Sequence, residues 1–398
     1  MPDILMTQEE LDFRRELREF LKKEIVPLGL AEKQEKDEID FPTELVRILG
    51  KEGYFGMCLP EKYGGKNRGL VYEVIKSEEL AYVGYALSCP GCLSGWVGNA
   101  ICQHGTEKQK KDYVIPISQG LKVAAIAMTE PGAGSDINSY KTKAVLDKDF
   151  YTVSGEKRFQ VGGLGADFFL TFAITDSSRP ALKGGLSAFI IDREMGIEVV
   201  EKFKMMGYHG AGVSHLIMKG IKVPKESILG KEGDGPKVLD AILIWERLST
   251  AAGALGGARR CIDEAIKYSL EREAFGVTLS RIPTVYNMVA DMIIKRDVIA
   301  TMIIRGCRLV DKYGPKAMKE IAEAKYVACE MGYQIADTAL QVLGGIGYTN
   351  KYPVESYLRF ERGGRIVSGS SEIMQYIVQR ETYMEILGRK EAISGSVS

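Results

Sequence analysis

The spacing of apolar residues predicts helices over the first third of the chain. In the segment 7–26, apolar residues such as Phe13 and Leu17 recur at helical spacing, and Thr7 stands three residues before Glu10, as in an N-terminal capping box. Glycine and proline separate this segment from later ones. Similar helical patterns cover the segments 42–53, 70–84 and 92–104.

The pattern changes at Val123, where short β-branched and aromatic segments with turn residues between them begin. The segment YTVSGEKRF alternates around a Ser-Gly pair and predicts a turn there. We therefore predict a small all-β module. The other predicted strands lie in VAAIAMTE, DFFLTFAITD, GLSAFIIDRE, GIEVVEKF and SHLIMKGIKV.

Helical periodicity returns after residue 235. The segment 237–276 predicts one long helix closed by Gly276, and the patterns in 284–312, 315–342 and 371–387 predict three more. A chain of 398 residues is too long for one ordinary core. The predicted fold is mainly α with a middle β domain: a helical domain over 1–122, a small β-barrel or sandwich over 123–235 and a helical bundle over 236–398.

One acidic residue of the long helix shares a stripe with apolar and small side chains. Glu246 falls at helical spacing with Leu239, Ile242, Thr250 and Gly253. Because apolar surroundings raise the pKa of a carboxyl group toward neutrality, Glu246 is a candidate catalytic base. The alternative is a surface glutamate on a solvated face, which is the commoner case for a helical Glu.

Composition excludes several classes of function. Lysine plus arginine equals aspartate plus glutamate, 53 against 53, without a basic block, which argues against nucleic acid as a partner. No apolar run is long enough to span a bilayer. The seven cysteines are scattered, and Cys89 and Cys92 form a lone CxxC in a chain with three histidines, so we expect free thiols and no metal site. These features favour a reducing compartment, the cytoplasm.

Three glycine-containing or serine-containing stretches are candidate ligand sites. In the stretch Thr129–Asp136, TEPGAGSD, small residues would let backbone amides approach an anion, although a plain turn is the alternative. The glycines after Gln341 are equally compatible with a helix end. In the stretch 368–372, Ser371 is a reasonable N-cap for the last helix.

Taken together, these stretches resemble a known family. MTEPGAGSD, the helix end LEREAFG, QVLGGIGYT, GSSEIMQYIVQRE and HGTEKQKKDYV look like signature stretches of the acyl-CoA dehydrogenases, in the right order, and the resemblance runs from about residue 6 to 389. It implies a C-terminal four-helix bundle, an acyl-CoA substrate and one FAD per subunit. It also implies a homotetramer or dimer and an electron-transferring flavoprotein as electron acceptor.

The resemblance implies residue roles at the cofactor. Val161 stands where the family usually has Ser or Thr, so one hydrogen bond to the flavin is in doubt, and Pro283 replaces a residue on the adenine side. The matched cofactor positions are Ile126, Met128, Thr129, Gly134, Ser135, Phe159 and Val161, then Arg272, Phe275, Gln341, Gly344 and Gly345, which would reach the FAD of a neighbouring subunit, and finally Ser370 and Glu372.

The implied catalytic base is also Glu246. Many members place the base directly before the glycine of the last motif, where this chain has Ser368, and a hydroxyl of ordinary pKa cannot do that work. A second branch, including isovaleryl- and long-chain-type enzymes, carries its base in a helix segment similar to 245–248, and Glu246 matches it. The resemblance assigns Ser135, Arg247 and the backbone of Ser368 to the substrate.

Two alternatives stay open at this point. The same scaffold could act on a cyclic or aryl-bearing acyl-CoA, or run as an enoyl-CoA reductase. From a different class, the chain could be a helical scaffold protein that has lost its cofactor, since Val161, Pro283 and Ser368 all depart from the family pattern. Bleaching of a bound flavin by acyl-CoAs, or a colourless protein, would separate these hypotheses.

Overall fold

The computed structural model describes residues 4–387, and its N-terminal region is helical. The predicted capping box is present: the Thr7 hydroxyl accepts from the Glu10 amide, and the Glu10 carboxylate accepts from the Thr7 amide. The helices are α1 (Gln8–Phe20), α2 (Leu30–Glu35), α3 (Thr43–Lys51), α4 (Leu70–Val83), α5 (Tyr85–Ser88), α6 (Pro90–His104), α7 (Glu107–Gln109) and α8 (Ile115–Ser118).

The middle region is a single sheet. Seven strands run in the order β6-β7-β3-β2-β4-β5-β8, and β1 pairs with β4 in parallel. Its strands are β1 (Ala124–Ala127), β2 (Lys143–Asp147), β3 (Phe150–Gln160), β4 (Phe168–Ile174), β5 (Leu186–Asp192), β6 (Glu198–Lys202), β7 (Ser214–Pro224) and β8 (Ile228–Leu229).

The turn predicted at the Ser-Gly pair is wrong. Ser154 and Gly155 lie inside β3 and pair with β7, where a register shift after Val153 absorbs an extra residue as a bulge. The chain instead reverses between β2 and β3, where Lys148 has a φ of 55°. A bulge and a turn both use small residues, so the sequence pattern alone did not separate them.

The C-terminal region is built around one long helix, α9 (Gly235–Glu271), of 37 residues. At 1.5 Å per residue it is about 55 Å long, and it packs against α4 and α6 as well as against the later helices. The elements that follow are β9 (Glu273–Ala274), β10 (Val277–Thr278), α10 (Pro283–Tyr313), α11 (Met318–Leu343), α12 (Val354–Gly364) and α13 (Ser371–Leu387).

Two predicted features of this region need correction. Helix α9 ends at Glu271, five residues before Gly276, because Phe275 and Gly276, with φ values of 54° and 77°, form the turn between β9 and β10. Consecutive positive φ values are what a two-residue hairpin turn requires. The segment after residue 342 also contains α12, a helix that the glycine-rich pattern did not predict.

The predicted fold class, helical ends around a middle β domain, is confirmed. The exact domain limits stay a prediction, and residues 388–398 of the third predicted domain lie outside the described part. Between residues 4 and 387, no helix combines the length and apolar character needed to cross a bilayer. In the same part of the chain, no cluster of three or more His, Cys, Asp or Glu side chains could hold a metal ion.

Candidate active site

The carboxylate of Glu246 meets the segment that joins α12 to α13. The Ser368 hydroxyl donates to Glu246 Oε1 at 2.9 Å. Thr250 lies one turn further along α9, and its hydroxyl is 2.9 Å from the Ser368 hydroxyl. Because Ser368 has one proton and gives it to Glu246, Thr250 is the donor in this second bond. The three side chains form a short relay that orients the carboxylate.

The environment of Glu246 shifts the pKa of its carboxyl group upward. Burial raises the pKa of this carboxyl, while the hydrogen bond from Ser368 and the positive charges of Arg247 and Lys325 act in the opposite direction. No ion pair within 4 Å joins Glu246 to another described residue. The net shift is upward, as expected for a carboxylate that must take a proton at physiological pH.

The segment beneath this carboxylate has an unusual backbone. Ser368 adopts a φ of 59° and Gly369 a φ of 91°. Arg247 Nε donates to the Ser368 carbonyl at 3.2 Å, and Lys325 Nζ donates to the Gly369 carbonyl at 2.8 Å. Among residues 4–387 the Ser368 amide has no hydrogen-bond partner. Its N–H is therefore free to donate to an acceptor.

Helix α6 connects the sheet to α9. The Ser94 hydroxyl accepts from the Ala124 amide of β1 at 3.0 Å, and Trp96 Nε1 donates to the Ser249 hydroxyl of α9 at 3.1 Å. Ile126 on β1 and Trp245 beside Glu246 pack against the same apolar cluster. The candidate flavin-binding strand and the candidate base are thus fixed to one helix.

The end of β1 lies next to the end of β3. The Met128 amide donates to the Gln160 side chain at 3.0 Å, and the Arg158 amide donates to the Thr129 carbonyl at 2.7 Å. These bonds bring the predicted residues of β1 beside Phe159, which is 52% exposed and has a φ of 59°. Val161 follows directly after β3. The predicted cofactor-binding residues at the ends of β1 and β3, one half of the predicted set, therefore lie side by side.

The TEPGAGSD stretch forms a turn that buried hydrogen bonds hold in place. Glu130 pairs with Ala133 across the turn. Its buried carboxylate accepts from the Lys141 and Thr142 amides and from Lys157 Nζ at 2.8 Å. On the outer side, Ser135 and Gly134 are exposed. A Cβ on Gly134 would meet only Thr129 Cγ2, at 3.9 Å, so the surface is open to a ligand.

The other half of the predicted cofactor set lies on the surface. Phe275 at the hairpin tip is 96% exposed, and Arg272 and Gln341 are exposed as well. Methyl groups on Gly344 and Gly345 would meet nothing within 4 Å. Within residues 4–387, no hydrogen bond, ion pair or ring contact links this group to the β1 and β3 residues. The structure of one chain does not bring the two halves together.

The start of α13 differs from the sequence interpretation. The Ser370 hydroxyl accepts from the Ile373 amide at 3.4 Å, so Ser370 is the N-cap, and Ser371 instead donates to Glu330 at 2.6 Å. The N-cap prediction for Ser371 is therefore wrong by one residue. Glu372 is exposed in the first turn of this helix.

Sequence reasoning missed Lys325, whose side chain is fully buried on α11 and bonded to the turn at Gly369. A weak signal exists, because Lys325 lies between the apolar and small residues Ala322, Ala324 and Ala328. It also missed Gln160, which joins β1 to β3. All seven cysteines are free thiols, as predicted.

Comparison with known proteins identifies the class. Models of the acyl-CoA dehydrogenase N-terminal, middle and C-terminal domains match residues 7–120, 125–221 and 233–383. The chain therefore belongs to the acyl-CoA dehydrogenase family, whose enzymes depend on FAD.

Individual relatives are named for different activities. A caffeyl-CoA reductase–Etf complex subunit of Acetobacterium woodii is 35% identical over 92% of this chain and 96% of its own. A 3-(aryl)acrylate reductase of Clostridium sporogenes is 33% identical over 94% and 98%. The solved butyryl-CoA dehydrogenase of Megasphaera elsdenii is 30% identical, covers 97% and 100%, and superposes with a TM-score of 0.90.

Proposed function

We propose that this protein dehydrogenates an acyl-CoA thioester between its α and β carbons, with Glu246 as the base that removes the α proton. The observation that carries the proposal is the contact between Glu246 and Ser368. Glu246 is the only carboxylate among the three hydrogen-bonded side chains, and the contact brings it to residue 368, directly before Gly369 of the last motif. A base on α9 can therefore reach the space that a longer side chain at residue 368 would occupy.

The α proton of a thioester is very weakly acidic, so its removal needs stabilisation of the charge that develops on the thioester oxygen. A preorganised N–H aimed at that oxygen supplies such stabilisation. The unpartnered Ser368 amide is the proposed donor. Ser135, exposed on the anchored turn, is a proposed substrate contact. Arg247 stays a predicted substrate residue, although its bonds in the structure go to Ser368 and Met318.

FAD fits the surface formed by β1 and β3. Ile126 and Met128 present apolar surface, the open turn at Gly134 allows close approach, and Phe159 stands exposed at the edge. The bound flavin would accept the hydride from the β carbon. We propose that Thr129, Val161, Ser370 and Glu372 complete this site, and that Arg272, Phe275, Gln341, Gly344 and Gly345 serve the cofactor of a neighbouring subunit in a homotetramer or dimer.

An electron-transferring flavoprotein is the proposed electron acceptor. The support is that one relative is named as part of a complex with such a protein. A cytoplasmic location stays a prediction from the sequence.

The second candidate is the reverse reaction, reduction of an enoyl-CoA with an aryl group. Two relatives of similar identity carry names of reductases that act on aryl-bearing acrylates or acrylyl-CoAs. The same base, hydroxyl relay and amide would serve both directions, since a base that takes the α proton in one direction returns it in the other. The contacts around Glu246 therefore support proton transfer at the α carbon in either direction of the reaction.

The experiment is an anaerobic titration of the FAD-loaded protein with a panel of saturated alkyl- and arylpropionyl-CoAs, read as loss of flavin absorbance. Glu246→Gln should retain FAD and lose the bleaching, because an amide cannot accept the α proton. Glu264→Gln, on the same helix but partly buried and paired with Arg260, is the matched control. Full bleaching of the Glu246→Gln protein would exclude the proposed base, and a protein that binds no FAD would support the scaffold alternative.

A further inference from the structure

Two buried cations from different helices hold consecutive carbonyls of one turn. Arg247 on α9, 5% exposed, donates to Ser368, and Lys325 on α11, fully buried, donates to Gly369. No carboxylate of the described residues lies within 4 Å of either cation. A buried ammonium without a counter-ion is costly to maintain.

The backbone that Lys325 holds is strained. A serine with a φ of 59° is in the left-handed region, a conformation that is strained for an L side chain and that persists only where the surrounding structure imposes it. The rotation about this bond also fixes the direction of the Ser368 N–H relative to the two carbonyls. Releasing one carbonyl would let the turn relax toward an ordinary conformation and swing that N–H away.

We propose that Lys325 is a positioning residue of the active site, which keeps the Ser368–Gly369 turn in the conformation where the Ser368 amide faces the thioester oxygen. This inference rests on the proposed function. Lys325 does not touch the substrate; it acts through the Gly369 carbonyl. Its charge also acts on Glu246, together with that of Arg247.

Loss of the Lys325 charge should shift the pH dependence of the reaction rate in one direction. The titratable groups around the Glu246 carboxyl are Arg247 on its own helix, Lys325 on α11, Cys89 before α6 and Tyr208 after β6. The two cations lower the pKa of Glu246 against the effect of burial. Removing Lys325 should therefore raise that pKa and move the acidic limb of the rate profile to higher pH.

The test uses FAD-loaded Lys325→Met, Lys325→Gln and Lys325→Arg with Lys319→Met as the matched control, since Lys319 lies on the same helix and pairs with Glu385. At saturating acyl-CoA, Lys325→Met should slow flavin bleaching by roughly 10²-fold, the usual effect of losing one such donor. The half-saturating concentration should change little. Lys325→Gln should recover part of the rate but keep the shifted acidic limb, and Lys325→Arg should keep the wild-type limb.

A second readout does not depend on catalysis. In the ligand-free protein, amide hydrogen exchange in the segment 365–371 should be faster in Lys325→Met than in wild type or Lys319→Met. Unchanged exchange, or bleaching within twofold of wild type with the same acidic limb, would overturn the proposal. If Lys325→Met does not fold, the Gln and Arg variants decide it by the same two measurements. Failure of the wild type to bleach with any acyl-CoA would count against the proposed function instead.

Discussion

Glu246 and Ser368 are 122 residues apart in the chain, and their side chains meet at 2.9 Å. One belongs to a helix that is packed on several sides, and the other to a turn whose carbonyls are held by buried cations. The Glu246 carboxylate therefore lies where α9, which carries it, meets the turn between α12 and α13.

Moving the carboxylate across the contact should preserve part of the activity. In the double variant Glu246→Gln, Ser368→Glu, the new carboxylate starts from the turn that Glu246 now touches, so it can reach the same space. We expect anaerobic flavin bleaching at least tenfold faster than in Glu246→Gln alone. The single variant Ser368→Glu is the control, because two adjacent carboxyls raise one pKa strongly and should shift its acidic limb upward. A double variant as slow as Glu246→Gln would contradict the shared position.

Removing the Ser368 hydroxyl should change the pH dependence of bleaching. Its hydrogen bond favours the ionised form of Glu246, so Ser368→Ala raises the pKa of that carboxyl. The acidic limb of the bleaching rate should therefore lie at higher pH in Ser368→Ala than in wild type. Ser356→Ala, which removes a hydroxyl that donates to the Pro353 carbonyl at the start of α12, should leave the profile unchanged.

Glu361 is a buried acid outside the proposed mechanism. It is fully buried on α12, neither carboxyl oxygen has a hydrogen-bond partner among the described residues, and a Cβ on Gly257 or Gly332 would lie within 2.8 Å of it. Burial raises the pKa of Glu361 well above its ordinary value. Between the pKa of Glu361 in the unfolded chain and its higher pKa in the folded protein, the folded protein holds a proton that the unfolded chain releases. Raising the pH through this range therefore lowers the free energy of unfolding.

Glu361→Met should therefore stabilise the protein at neutral pH. An unsatisfied buried polar group costs about 1–3 kcal/mol, and the flexible Met side chain fills a similar volume without that cost. We expect a higher free energy of unfolding at pH 7.5, with a smaller gain at pH 5, measured by denaturant unfolding. Glu361→Gln is the comparison, since it removes the titration but keeps unsatisfied polar atoms. A destabilised Met variant would indicate a partner for this acid, such as ordered water.

The buried pair of Lys157 and Glu130 should control cofactor retention. Glu130 anchors the TEPGAGSD turn, and Lys157 Nζ lies 2.8 Å from it with no exposure. Lys157→Met leaves the carboxylate buried without its counter-ion, which typically costs 3–5 kcal/mol. We expect a lower melting temperature and loss of FAD on gel filtration. Lys143→Met, on the exposed side of β2, should retain both. A Lys157→Met protein that stays fully flavinated would show that the turn holds without this anchor.

Local patterns in the sequence predicted much of the fold but few of the contacts made by buried polar side chains. Helical periodicity found α9 and marked Glu246 as an acid on a buried stripe. The same reasoning placed the helix end at Gly276, because a hairpin turn and a helix stop use the same residue. The contacts at Ser368 and Lys325 join segments more than 40 residues apart, and no local pattern encodes such pairs. Glu361 stands between Phe360 and Arg362 in the sequence, and no local pattern there indicates that it is fully buried.

The relay at α9 has a consequence for how chains of this kind are classified. A diagnostic based on one column, the residue before the glycine of the last motif, would label this chain inactive because that residue is Ser368. Under the proposed function, the base at Glu246 meets that position only after folding, so the two positions have to be considered together. Surveys that score both sites jointly would keep such sequences among candidate enzymes and reserve the label of lost function for chains where both carboxylates are missing.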